Sequence, residues 1–149
     1  MKIDFKFLEE YKYVDNICRD SLSTDRGVYT YISEMEMIPG MYRTYFDWST
    51  DYRALKRVHY LRNRLSHEPG TLDTGLVTND DLKFITEFHN RLLRCSDPLA
   101  LARKRKEELQ KQREAEAKRL SKIHAKAEKP PKRQGLLKRL FKWLFGQPD

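Results

Sequence analysis

DYRALKRVHYLRNRLSHEPG, residues 51–70, decides the fold class. Its apolar residues Ala54, Leu55, Val58, Leu61 and Leu65 recur every three or four positions, which draws one buried stripe along an α-helix. Ser49 or Asp51 is placed to cap the start. Glu68-Pro69-Gly70 stops it, because Pro69 disfavours helical geometry at Glu68 and Gly70 suits a turn.

The same periodicity extends to both sides. Phe7, Leu8, Tyr11, Val14 and Cys18 give a second stripe between Phe5 and Leu22, followed by a polar turn at Ser21–Gly27. Val28–Ile38 begins like a strand and ends like a helix; its helical neighbours decide for helix, and Pro39-Gly40 closes it. Met41–Thr50 reads as an aromatic-rich connection. Thr78 with Asp81 resembles a capping box, opening a helix whose stripe is Leu82, Ile85, Phe88, His89, Leu92 and Leu93. Asp97-Pro98 then supplies an N-cap and a first-turn proline.

Charge divides the chain. Residues 1–97 hold 14 Lys and Arg against 16 Asp and Glu, while residues 98–149 hold 16 against 6. We therefore expect an all-α domain over 1–97, a charged helix over 98–128, a Pro/Lys linker over 129–135 and a basic amphipathic helix over 136–146. The charged helix carries favourable Glu107→Lys111 and Glu114→Lys118 spacings, each contributing roughly 0.2–0.5 kcal/mol. Its apolar residues Leu99, Ala102, Leu109, Leu120 and Ile123 are too sparse for a sustained heptad seam.

Several classes fall away. No apolar run approaches the roughly 18–20 residues of a spanning helix. The acids within Met1–Glu10 lead us to expect no secretory signal. Cys18 and Cys95 are far apart with no CxxC, against a disulfide scaffold or a zinc site; a reducing cytoplasm fits. His59, His89 and His124 lack metal-ligand spacing, and His89 reads as a core or edge residue. Glycine-rich phosphate loops and GxSxG elbows do not occur. No metal or cofactor is expected.

The chemically informative stretch is Tyr60–His67, where Arg62 is followed by Asn63 and, five positions on, by His67. This resembles the Arg-x4-6-His signature of the HEPN superfamily, in which a polar residue often follows the Arg. The likeness covers the helix from Asp51 to His67 and, loosely, the all-helical layout of residues 1–97. It implies a HEPN-like helical bundle, here with a long basic helix and a short amphipathic helix after it. In HEPN ribonucleases, among them toxins and antiviral effectors, two subunits place their Arg/His pairs around one cleft and cut RNA without a metal. By that resemblance Arg62 is the phosphate clamp, Asn63 an orienting hydrogen-bonder and His67 the general acid/base, in a homodimer acting on RNA. One departure is Glu68, where family members often carry a small residue.

The chemistry suits these residue types. Attack of a ribose 2′-hydroxyl on its phosphate needs proton transfer near neutrality, and a histidine with an ordinary pKa of about 6.5 supplies it. A planar guanidinium binds phosphate oxygens in bidentate fashion. Helix geometry adds a condition: five residues turn a helix by about 500°, so Arg62 and His67 stand roughly 140° apart on a continuing helix. They share a cleft only if the helix ends near His67. The same residues also admit a structural reading, with Arg62 and Arg64 as surface charges and His67 capping the helix C-terminus.

The tail segment LLKRLFKWLF, residues 136–145, puts Lys138, Arg139 and Lys142 on one arc and its leucines and aromatics on the rest. At 1.5 Å per residue it reaches about 15 Å, half a bilayer core. Phe141 and Trp143 with the three cations suit an anionic membrane surface or a protein partner's groove; folding back on the domain and binding RNA are the other uses. Trp48 with Tyr45 and Phe46 reads either as core packing or as a base-stacking platform. A metal-independent endoribonuclease is thus the first reading of the chain. Its rival is a non-catalytic helical interaction module held by its tail, cytoplasmic or peripheral at the inner face of the membrane.

Overall fold

The computed structural model describes residues 2–43, 47–128 and 134–146, the last without the side chains of Gln134 and Leu136. Its described residues form six α-helices, one short 3₁₀ turn and no strand. The helices are α1 (Ile3–Leu22), α2 (Gly27–Met37), α3 (Trp48–His67), α4 (Asn79–Leu93), α5 (Pro98–Ala127) and α6 (Gln134–Leu144), with the 3₁₀ turn at Gly40–Tyr42. The chain divides into two compact units, Met1–Glu108 and Leu109–Asp149.

In the first unit α1 is central, packing on α4, α2 and α3, while α3 also meets α2 and α4. The stripes supply the core: Phe7, Tyr11, Val14 and Cys18 from α1; Leu55, Val58, Leu61 and Leu65 from α3; Ile85 and Phe88 from α4. In α2 the buried residues are Val28, Tyr31, Ile32 and Met35, a helical spacing where a strand would have buried alternate positions. Phe88 meets Tyr31 edge-on at 5.4 Å. Leu93, counted in the α4 stripe, is instead 64% exposed at the last position of the helix.

Caps explain most boundaries. Thr78 and Asp81 form the reciprocal capping box at the start of α4. Asp97 accepts from the Ala100 N–H at 3.2 Å and from the Tyr31 hydroxyl at 2.5 Å. The first turn of α5 is thereby tied to α2, and with Leu99 and Ala102 buried it belongs to the compact unit that runs to Glu108. The start of α3 differs from the expectation. It begins at Trp48, and Asp51 is no cap but a buried first-turn residue in a bidentate pair with Arg91 of α4, at 2.9 and 2.7 Å. Trp48 is buried beneath the Arg43 guanidinium, as core packing requires; Tyr45 and Phe46 lie outside the described residues.

In the second unit α5 continues to Ala127 with Leu120 and Ile123 half or more exposed. Among the described residues Glu114 and Lys118 form no ion pair; Glu108 meets Arg105 in the first unit, and Gln110 donates to Glu114 in the second. Residues 129–133 of the expected linker lie outside the described residues. No helix among the described residues is long and apolar enough to cross a membrane.

Candidate functional site

The Arg62–His67 segment opens onto a cleft of about 450 Å³ between α1, the α1–α2 turn, α2 and α3. Arg62, Asn63 and His67 all line it, together with His59, Tyr11, Asp15, Arg19, Asp25, Arg26 and Tyr29. The geometric condition set by the helix is met, since α3 ends at His67 and the chain turns away at Glu68 in extended conformation.

His67 is exposed and, among the described residues, makes no hydrogen bond. The closing carbonyls of α3 go elsewhere: the Glu68 N–H donates to Arg64 O, and the Thr71 hydroxyl reaches Arg64 O and Glu68 O at 3.3 and 2.9 Å. Thr71 therefore does the capping that the structural reading assigned to His67. Glu68, the departure from the family pattern, is drawn to Arg64 at 2.7 Å and does not line the cleft.

Arg62 is half-buried, its guanidinium 5.8 Å from the Tyr11 ring centroid, and it donates to Asn63 Oδ1 at 3.0 Å. Among the described residues no carboxylate pairs with Arg62 or with Arg26, whose guanidinium lies over the Tyr29 ring. Asp15 does not neutralise them. It binds Arg19 at 2.9 Å and accepts from the Val28 N–H at 2.9 Å, capping α2 from α1. Among the described residues the cleft thus holds two guanidiniums, Arg26 and Arg62, without an ion-pair partner, alongside Asp25, a carboxylate likewise without one.

His59 stands one helical turn before Arg62, between Tyr11 and Asn63. Burial and the Arg62 charge lower its pKa, against a weaker opposing pull from Asp15. Burial, reinforced by Asp15, pushes the Tyr11 phenol far above its ordinary value, so it stays protonated. The sequence places Tyr11 only on the buried stripe, and it shows His59 only as a histidine without metal-ligand spacing. Their partnership joins residues 48 apart, which no local pattern reveals. His89, by contrast, lies outside the cleft, bonded to Glu10 at 2.9 Å and stacked on Tyr13. Among the described residues no three His, Cys, Asp or Glu side chains are grouped as a metal site requires.

The tail residues Lys138, Arg139, Phe141, Lys142 and Trp143 lie on α6. Phe141 and Trp143 are 66% and 82% exposed, on the same short helix as Lys138, Arg139 and Lys142.

Fold and cleft together define an all-helical protein with a cationic, histidine-bearing groove beside its central helix. Residues 5–138 match the model of a family of unknown function (DUF6548), and the chain belongs to that family. No curated protein and no solved structure matches it.

Proposed function

We propose that this cleft binds the phosphodiester backbone of RNA and that the protein is a metal-independent endoribonuclease of HEPN type, working as a homodimer. The observation that carries the reading is the meeting of Arg62, Asn63 and His67 in one cleft where Arg62 has no carboxylate partner. Arg62 holds the non-bridging phosphate oxygens and stabilises the charge that builds on them during attack. Asn63 keeps the guanidinium in place through its amide oxygen. His67, free of structural hydrogen bonds, transfers the proton. One imidazole takes the proton of the 2′-hydroxyl as its oxygen bonds to phosphorus. The bond to the 5′-oxygen breaks, and a second imidazole, from the other protomer, protonates that leaving group. A 2′,3′-cyclic phosphate and a 5′-hydroxyl result. The test is cleavage of single-stranded RNA by the full chain in EDTA. Arg62→Ala and His67→Ala should each abolish it at unchanged helicity, and their losses should not add, since the groups act as one unit.

A second reading is favoured by α6. Its described apolar side chains, Leu137, Leu140, Phe141, Trp143 and Leu144, are more than half exposed beside three cations, which supports attachment to an anionic membrane surface. Attachment could serve the ribonuclease or a non-catalytic module.

A further inference from the structure

The hydrogen bonds around Asn63 fix the direction of every donor in the inner cleft. A guanidinium only donates, so the Asn63 atom 3.0 Å from Arg62 Nη1 is the amide oxygen. The amide nitrogen then faces His59 Nε2 at 3.3 Å, and an N–H there calls for an unprotonated ring nitrogen. The proton of the neutral imidazole therefore sits on Nδ1, 2.7 Å from the Tyr11 oxygen. His59 donates and Tyr11 accepts. The opposite direction would set Nε2–H against the Asn63 N–H, two donors face to face.

The Tyr11 hydroxyl hydrogen is thus left over. Tyr11 is only 3% exposed, yet among the described residues no acceptor meets that hydrogen. Buried donors without a partner are rare. Tyr11 lines the cleft and also an adjoining hollow of about 410 Å³ that shares Arg62 and the Asp15–Arg19 pair and adds Lys12 and Ser66. A neutral donor beside a cation with no ion-pair partner suits one oxygen of a phosphate group: the cation answers its charge, the hydroxyl its direction.

We propose that Tyr11 contacts the phosphodiester, donating its O–H to a non-bridging oxygen beside Arg62, and that His59 is the positioning residue that aims this hydroxyl. The assignment rests on the RNA reading above and extends it to two residues outside the Arg62–His67 motif. The low proton affinity of His59 keeps the relay in this direction near neutrality, and the raised phenol pKa keeps the donor in place.

The full chain is tested on two probes, an RNA oligonucleotide for cleavage and its fully 2′-O-methylated form, which has no 2′-hydroxyl nucleophile, for binding alone. Tyr11→Phe retains the ring and its contact with Arg62 and removes one oxygen. It should weaken binding of the methylated probe and lower kcat/KM by about 10- to 100-fold, the range for a hydrogen bond to a charged group. His59→Leu should reproduce the loss, and His59→Asn, which keeps an N–H near the place of Nδ1, should recover most of it. Nitrogen-15 NMR of the unaltered chain at pH 7 should show His59 protonated at Nδ1 only; an Nε2–H tautomer overturns the relay whether or not the variants fold. Tyr11→Phe binding and cutting within about twofold of the unaltered chain overturns the role of Tyr11 and leaves the RNA reading standing. An unaltered chain that neither binds nor cuts overturns both.

Discussion

Alanine at Gly27 tests how the α1–α2 wall of the cleft is built. Gly27 begins α2 against the backbone of α1, and a Cβ there would lie 2.8 Å from Asp15 Oδ1 and 2.9 Å from the Asp15 carbonyl carbon, nearer still to its oxygen. Ordinary contacts are about 3.5–4.0 Å, so the two helices must part by on the order of 1 Å. The obstacle is largely backbone, and no rotamer change relieves it. Overpacking costs about 1–3 kcal/mol. Parting the helices also strains the Asp15 bond to the Val28 N–H, an N-terminal cap of about 0.5–2 kcal/mol. Alanine's better helix propensity returns at most about 1 kcal/mol. Taking the middle of each range, a net loss of about 2 kcal/mol follows, which at a mid-range urea slope of about 2 kcal/mol/M lowers the midpoint by about 1 M. Urea unfolding followed by far-UV circular dichroism reads it directly. A midpoint unchanged or raised, as propensity alone would give, refutes the close approach of α1 and α2.

Stability should depend on pH through His59, which binds its proton more weakly folded than unfolded. As pH falls below the ordinary value of about 6.5 the unfolded chain takes up the proton first, so this contribution is complete above that pH and declines below it until the folded group titrates too. His59→Gln should flatten that part of the urea-midpoint profile; an unchanged profile contradicts the assignment. A chain ending at Ala127 should remain folded, while only the full chain binds vesicles of anionic lipid, with Trp143 fluorescence moving to the blue and salt weakening the binding without abolishing it. Equal binding by both chains refutes the role of α6. Sedimentation of the full chain at tens of micromolar should show a dimer; a monomer counts against a composite cleft.

The helices were legible because burial imposes a period that survives in one sequence: the α1, α3 and α4 stripes supply most of the core, with Leu8, Leu82 and Leu92 partly buried against it, His89 turned to Glu10 and Leu93 exposed at the end of α4. The capping box at Thr78 was legible because its two partners are three residues apart. Asp51 misled because its partner, Arg91, is 40 positions away; a local pattern shows an acid near a helix start and nothing of the cation waiting on α4. Motif and helix stop together anticipated that Arg62 and His67 could share a cleft, but not its far wall. Asp15, Tyr11 and Arg26 enter from α1 and the turn after it, and their role depends on the approach at Gly27. The engagement of Glu68 by Arg64 is an i,i+4 pair, visible in the sequence to a reader who looks for it.

RNA cleavage at the Arg62/His67 cleft, proposed above to run through the ribose 2′-hydroxyl without a metal, can be read from the products. Its most direct measurement is the incubation of the full chain, in excess EDTA, with a single-stranded RNA and with the same strand 2′-O-methylated throughout, the products being resolved by length and end chemistry. RNA fragments ending in 2′,3′-cyclic phosphate and an intact methylated strand are expected. RNA left whole, cleavage that EDTA abolishes, or equal cutting of the methylated strand would contradict the proposal.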